Sequence, residues 1–217
     1  MIREPGERQE FGGGYSCLFF DCDGRAIELA TEVDQRIYQE VSNGESRPKF
    51  ISHVVFNTVD LHKTVNWYRN VLGFKISDWV EDFFCFMRTG KWHHLIAFAR
   101  SSMTSLNHVS FELLGLDEFM RGTGRLMRAG HNPLWGPGRH GAGDNTYSYF
   151  QEPSTGFVME YSTALQIIDE EHGWTPKVWG TTPEERDQWG TANEFDEVIL
   201  AKMAPANDPT LWTPPTI

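Results

Sequence analysis

Hydrophobic and polar positions follow the same order twice between residues 50 and 163. Residues 50–58 are rich in β-branched and aromatic side chains, which predicts a strand. Asp60 can cap the helix that follows, because apolar residues then recur at helical spacing until Gly73. Three further strands are predicted after this helix, at 74–80, 83–88 and 93–99.

The second pass repeats this order. It predicts a strand at 106–114, again with a histidine near its start, and a helix at 117–129 that Gly130 ends. Three more strands are predicted at 131–136, 146–152 and 156–162. A βαβββ unit is therefore used twice, with a period of about 55 residues. Because one such unit leaves a sheet face uncovered, we predict an α+β fold in which paired βαβββ modules form a curved mixed-sheet cleft.

The two ends of the chain do not follow this repeat, so three segments are predicted. Residues 1–48 contain a hairpin remnant, with a turn at Asp23-Gly24, and a linker. Residues 49–163 form the domain of two modules. Residues 164–217 form an extended tail rich in Trp and Pro, too aromatic to be freely solvated. We expect both ends to take part in a subunit contact, and hence a homo-oligomer.

Charge and composition exclude several classes of protein. The 217 residues carry 19 basic and 30 acidic side chains, a formal charge of −11, which disfavours binding to nucleic acid. No segment has the roughly 20 apolar residues that span a membrane, and the start lacks an apolar signal region, so a cytoplasmic location is expected. The three cysteines lack CxxC spacing, so we expect reduced thiols and no thiolate metal site.

Two histidines and one carboxylate occupy positions that a metal ion requires. His53 and His108 lie on the first strand of each module, and Glu160 lies on the last strand. A single histidine on a strand is more often structural than a ligand, but two at equivalent positions favour a shared site. A carboxylate in the apolar strand 156–162 is costly unless a cation faces it. Two imidazoles and one carboxylate leave positions open, which suits Fe(II) and O2.

These residues sit within motifs that resemble the type I extradiol catechol dioxygenases of the vicinal-oxygen-chelate superfamily. The segment 149–161 approximates the family signature, with one extra residue in the turn 153–156. The other matching blocks are S-H-V-V-F at 52–56, N-W-Y-R-N-V-L-G-F at 66–74, H-H-L-I-A-F-A at 93–99, L-N-H-V-S-F-E at 106–112 and G-P-G-R-H-G at 136–141.

The resemblance implies a fold, an activity and three further site residues. It implies the vicinal-oxygen-chelate fold and an Fe(II) ion that opens a catechol ring with O2, although Mn(II) accepts the same ligands. His94 corresponds to the histidine that faces the O2 position, and His140 to a loop histidine beside the substrate. Tyr149 corresponds to the tyrosine beside the substrate oxygen. A bulky or bicyclic catechol is indicated by three large aromatic residues near these motifs, Trp92, Trp135 and Phe150.

Three other functions on the same fold stay open at this point. A glyoxalase-like isomerase generally uses four ligands, but the strand predicted at 93–99 contains no Asp or Glu. A non-catalytic protein that sequesters antibiotics needs no metal, which would leave the histidines and Glu160 unexplained. A thiol-transferring resistance enzyme needs a cationic pocket, and basic residues near the proposed site are few, Arg139 being the clearest.

Overall fold

A computed structural model of the chain describes residues 2–35, 37 and 39–213, which fall into two compact units. The smaller unit joins the described residues up to Glu40 with those from Asn207 onward. Its antiparallel sheet has the order β1 (Arg3–Glu7), β2 (Tyr15–Phe20), β3 (Ala26–Thr31). β2 and β3 form the hairpin around Asp23-Gly24, and β1 was not predicted.

The end of the chain belongs to this smaller unit. The backbone N–H of Trp212 donates to the carbonyl of Gly24 at 2.9 Å, and the Trp212 ring stacks on Phe20 with the centroids 5.1 Å apart. The hairpin therefore packs against the last described residues of the chain. The sequence analysis had assigned these two parts to separate segments, because a contact over this separation leaves no local pattern.

The larger unit, Val41–Ala206, contains both βαβββ modules, which confirms the predicted fold class. The first module consists of β4 (Phe50–Thr58), α1 (Leu61–Leu72), β5 (Lys75–Val80), β6 (Phe84–Arg88) and β7 (Ile96–Arg100). The second consists of β8 (Ser105–Glu112), α2 (Leu116–Arg128), β9 (Trp135–Arg139), β10 (Thr146–Gln151) and β11 (Val158–Thr163).

Residues 164–206 are not the extended arm that the sequence analysis expected. They form β12 (Lys177–Trp179) and two short helices, α3 (Pro183–Arg186) and α4 (Glu197–Met203), after a 3-10 turn at Glu170–His172. Side-chain caps explain the helices, because Thr182 forms a capping box with Glu185, and Asp196 accepts from the N–H of Ile199 at 2.9 Å. Pro183 begins α3, a position at which a missing N–H costs no intrahelical hydrogen bond.

One nine-stranded sheet joins the two modules, in the order β12-β5-β6-β7-β4-β8-β11-β10-β9. At its centre β4 and β8 pair antiparallel. Each is flanked on its other side by the last strand of its own module, β7 beside β4 and β11 beside β8, in parallel. The first strands of both modules therefore lie side by side, so their residues can share one site.

Two strands begin three or four residues later than predicted, at Ile96 and Trp135, for different reasons. Before β7, the N–H of His93 donates to the carbonyl of Gln166 at 2.9 Å, so this segment bonds to the segment after β11 and leaves the ladder. β9 begins after Pro133, which has no N–H to give to a ladder.

Helix α1 packs an apolar core against one face of the first module. Asp60 caps it by accepting from the N–H of Lys63 at 3.1 Å, and Gly73 ends it with a φ of 72°. Tyr68 is buried in this core with its ring 4.7 Å from that of Phe98. None of the helices in the described ranges combines the length and apolarity that crossing a membrane requires.

Replacing Phe98 with Ala should destabilise the larger unit. Phe98 has no exposed surface, and a buried Phe→Ala change costs about 3–5 kcal/mol through lost burial and the cavity left behind. Denaturant unfolding should show this loss. The matched variant is Phe83→Ala, since Phe83 is 37 % exposed and should cost less than about 1 kcal/mol. Equal losses in the two variants would contradict the core assignment.

Candidate metal centre

The central strands bring His53, His108 and Glu160 together on one face of the sheet. Glu160 on β11 lies opposite Ser110 of β8, and Ser110 lies opposite His53 of β4. The Oε2 atom of Glu160 is 2.8 Å from Nε2 of His53 and 3.5 Å from Nε2 of His108. All three side chains are buried, so the predicted triad converges on one enclosed point.

The polar atoms of this triad fit a cation. One donor atom from each residue lies within 4.8 Å of the others. Nε2 of His108 and Oε2 of Glu160 are buried, and among the described residues neither has a hydrogen-bond partner of acceptable geometry. A buried carboxylate oxygen without a hydrogen-bond donor is costly, and a divalent ion between these atoms would remove that cost. The donor set of two imidazoles and one carboxylate suits Fe(II), Mn(II) and Zn(II).

Electrostatics keep Glu160 and His108 in the protonation states that metal binding requires. Burial alone raises the pKa of the Glu160 carboxyl, but the imidazoles of His53 and His108 outweigh burial, so this pKa lies well below its usual range. Burial lowers the pKa of His108. Glu160 is therefore ionised and His108 neutral near pH 7.

A β-bulge precedes each of the two histidines. From Ile51 to His53, β4 advances by two residues while its partner strand β8 advances by one. Ser52 is therefore the extra residue of a bulge. By the same count Asn107 is the extra residue before His108. Consecutive residues of a regular strand point to opposite faces, but a bulge re-aims them. The Ser52 hydroxyl accordingly lies 3.2 Å from Nδ1 of His53, and Oδ1 of Asn107 lies 2.7 Å from Nδ1 of His108.

These contacts orient the two histidines, and they were not predicted from the sequence. Since the side-chain oxygen of Asn107 only accepts, Nδ1 of His108 carries the proton and Nε2 presents its lone pair to Glu160. Asn107 in turn donates to Asn57 at 3.0 Å, and Asn57 donates to the carbonyl of Met203 at 2.8 Å. The sequence does show a polar residue directly before each histidine. That this residue contacts the histidine ring can be seen only once the bulges are known.

The structure also brings His140 and Tyr149 to this site. The Tyr149 hydroxyl is 3.1 Å from Nε2 of His140, which is 3.8 Å from Oε1 of Glu160. Nδ1 of His140 donates to the carbonyl of Arg186 at 3.3 Å, so Nε2 is left to accept from Tyr149. The Tyr149 ring lies 5.1 Å from His108. Residues after 164 therefore take part in fixing the site.

His94 completes the ring of predicted residues. Its side chain is buried, with the ring 4.3 Å from that of His53 and 4.9 Å from that of Phe86. Gly143 packs on its other side with a φ of 82°, and a Cβ there would lie 3.1 Å from Cε1 of His94. All six site residues predicted from the sequence therefore lie in one cluster.

Burial sets the charge of the surrounding groups. It lowers the pKa of His94 well below the ordinary value, helped by the nearby imidazoles of His53 and His93. Burial lowers the pKa of His140 to about 4. Burial also raises the pKa of the Tyr149 phenol well above its usual range. Near neutral pH His94 and His140 are thus neutral and the phenol of Tyr149 is protonated.

A fourth ligand of the kind found in two-carboxylate sites is missing from the first module. Its strand β7, equivalent to β11, reads I-A-F-A-R and has no acidic residue. Among the described residues, the group that could hold a metal consists of His53, His108 and Glu160. Three donors from one side leave coordination positions open.

The fold and this site define a protein of paired βαβββ modules with a two-histidine, one-carboxylate centre. A sequence model of the Glyoxalase/Bleomycin resistance protein/Dioxygenase superfamily matches residues 50–161, about half of the chain. The chain belongs to this superfamily, as its resemblance implied.

Three proteins show what this chain is similar to within the superfamily. Metapyrocatechase 2 of Cupriavidus necator is 31 % identical over 58 % of this chain and 40 % of its own length. 2,2',3-trihydroxybiphenyl dioxygenase of Sphingomonas paucimobilis is 26 % identical over 60 % of this chain and 48 % of its own. The crystal structure of the Mn(II)-bound glyoxalase from Novosphingobium aromaticivorans matches with a TM-score of 0.89 and 38 % identity, over 97 % of this chain and 68 % of that one. The chain thus spans less than half the length of the first two.

The depressed pKa of His140 should make the metal-free protein less stable in acid. As pH falls below about 6.5, His140 of the unfolded chain takes up a proton, but the folded ring resists until about pH 4. The free energy of unfolding should therefore fall between about pH 7 and 5. His140→Gln should lose less over this range, measured by denaturant unfolding at both pH values. A variant with the same pH dependence as the wild type would contradict this.

Proposed function

We propose that the chain is an extradiol dioxygenase, which binds a divalent metal at His53, His108 and Glu160 and opens a catechol ring with O2. The observation that carries this proposal is the buried point where Nε2 of both histidines faces Oε2 of Glu160 without a fourth protein donor. The names of two relatives, a metapyrocatechase and a trihydroxybiphenyl dioxygenase, support a catecholic substrate.

The metal would supply a Lewis-acid centre that has open positions for both catechol oxygens and O2. The protein would hold this metal on rigid strands and exclude water from it. Glu160 has no exposed surface, and His53 and His108 are about 5 % exposed or less. Low exposure strengthens electrostatic interactions within the site.

Tyr149 and His140 would manage a proton beside the substrate. The Tyr149 hydroxyl stays protonated because its pKa is raised by burial, and it donates to Nε2 of His140. A substrate oxygen that carries negative charge would compete for this hydrogen bond, so Tyr149 can stabilise it. His94, on the opposite side near His53, is the candidate for proton transfer at the O2 position.

Two further observations bear on the identity of the metal and on the size of the substrate. The donor set binds both Fe(II) and Mn(II), and the Novosphingobium relative is described with Mn(II). We propose Fe(II), because two imidazoles and one carboxylate with open positions is the arrangement typical of non-haem Fe(II) oxygenases. Trp135 stacks beside Tyr149 with the ring centroids 5.4 Å apart, which supports a bulky aromatic substrate.

The proposal is tested by O2 consumption with a panel of catechols after anaerobic loading with Fe(II). The wild type should take up O2 and form a coloured ring-opened product, because the three ligands hold the metal. His108→Ala and Glu160→Gln should abolish both metal binding and O2 uptake. His131→Ala, which removes an exposed imidazole, is the matched control and should behave as the wild type. O2 uptake that survives in His108→Ala would contradict the proposal.

A glyoxalase-like isomerase is the second candidate, favoured by the description of the Novosphingobium relative. The same loaded protein should be offered the hemithioacetal of methylglyoxal and glutathione. The three-donor site predicts no isomerisation, because two-carboxylate isomerases use a second acidic ligand that β7 lacks. Isomerisation without O2 uptake would replace the dioxygenase proposal.

Tyr149→Phe should slow turnover without weakening the metal. The phenol oxygen contacts His140 and is not among the three donor atoms, so metal affinity by calorimetry should be unchanged. Loss of a positioned proton donor should lower kcat by about 100-fold or more. Tyr15→Phe, which removes an exposed hydroxyl, is the control. An unchanged kcat would show that Tyr149 only packs in the site.

Asn107→Ala should weaken metal binding although Asn107 is not a ligand. It removes the acceptor that fixes the proton on Nδ1 of His108, and loss of such a partner typically costs about 10- to 100-fold in affinity. Anaerobic titration with the metal measures the change. The matched variant is Asn70→Ala, at an exposed position of α1, which should bind as the wild type. Equal affinity in all three proteins would contradict the role of the bulge.

A further inference from the structure

A row of hydrogen-bonded, buried polar side chains leads from the first module to the site. Asp78, on β5, has only 1 % of its surface exposed, and its Oδ2 is 3.2 Å from Nε2 of His93. Nδ1 of His93, which is fully buried, lies 2.9 Å from Nδ1 of His94. Three titratable side chains are thus joined in a row that ends beside His53.

The carboxylate fixes the direction of both hydrogen bonds. Burial alone raises the pKa of Asp78, but hydrogen bonds from His93, the N–H of Lys177 and the indole of Trp179 outweigh burial and lower it. An ionised carboxylate only accepts, so Nε2 of His93 must donate to it. In neutral His93, Nδ1 then carries a lone pair and accepts from Nδ1–H of His94. His94 is left with a lone pair on Nε2.

An amide in place of the Asp78 carboxylate would break this hydrogen-bond network. Its Oδ1 accepts from the N–H of Lys177 at 2.8 Å, and its Oδ2 accepts from both His93 and Nε1 of Trp179, the latter at 2.7 Å. An asparagine here would set its NH2 group against at least one of these donors. The strand β12, which supplies Lys177 and Trp179, therefore helps to define the proton positions at His94.

We propose that Asp78 and His93 are positioning residues, which hold His94 in the tautomer with the proton on Nδ1 and a lone pair on Nε2. The apolar surroundings support a fixed pair of rings, since Phe86 lies 4.9 Å from His94 and Trp174 lies 5.9 Å from His93. The consequence for catalysis rests on the proposed function, in which His94 would act at the O2 position as a proton acceptor at Nε2.

The tautomers are measured directly in the metal-free protein labelled with ¹⁵N-histidine, by NMR that correlates ring nitrogens with ring protons. The wild type should show His94 protonated on Nδ1 and His93 protonated on Nε2. Asp78→Asn should move the proton of His94 to Nε2, while Asp82→Asn, at an exposed aspartate two residues beyond β5, should leave both rings unchanged. His94 protonated on Nε2 in the wild type, or His93 protonated on both nitrogens, would overturn the proposal.

Turnover gives an independent measurement. Asp78→Asn should lower kcat/KM for O2 by about 10- to 100-fold and leave metal affinity unchanged, because Asp78 contacts none of the three ligands. If Asp78→Asn does not fold, His93→Phe removes the same link and should release His94 to the Nε2–H tautomer. Unchanged kcat/KM for O2 in a variant with a reversed tautomer would overturn the catalytic consequence. A wild type with the expected tautomers but without O2 uptake would refute the proposed function alone.

Discussion

The charge of Glu160 is the constraint on which the central part of the structure depends. Its carboxylate has no exposed surface, so water cannot stabilise it, and its Oε2 atom faces two imidazole nitrogens. Asn145 donates to the other oxygen at 3.2 Å. An ionised group at such a position is stable only if positive charge or hydrogen bonds compensate it. Asn145 donates to Oε1 of Glu160, and Oε2 is left to face the point at which a cation would bind.

The architecture of the sheet delivers these groups. Because β4 and β8 pair antiparallel at the centre, the first strands of the two modules share one ladder. The bulges at Ser52 and Asn107 then turn each histidine toward Glu160. Residues after 164 hold the outer groups through α3, α4 and β12, which bond to His140, Asn57 and Asp78. The site is therefore built by both modules and by the segment that follows them.

The sequence was sufficient for the module order and for the triad of His53, His108 and Glu160, because periodicity and repeat-equivalent positions are local signals. The other three predicted residues, His94, His140 and Tyr149, came from the resemblance to a known family. The sequence was not sufficient for the partners of those residues. In the sequence Ser52 and Asn107 resemble ordinary strand residues, and only the register of β4 and β8 shows that they form bulges. Asp78 is one of 30 acidic residues, and only the pairing of β12 with β5 shows that it is buried among hydrogen-bond donors. The folded segment after 164 was missed because aromatic and proline content masked the caps at Thr182 and Asp196.

The most direct test of the central claim is anomalous X-ray diffraction from crystals loaded anaerobically with Fe(II) and then with a catechol. We predict one iron bound by Nε2 of His53, Nε2 of His108 and a carboxylate oxygen of Glu160, with both catechol oxygens in two of the remaining positions. Tyr149 should lie within hydrogen-bond distance of a catechol oxygen. Iron at another place, or a catechol bound away from these residues, would contradict the account.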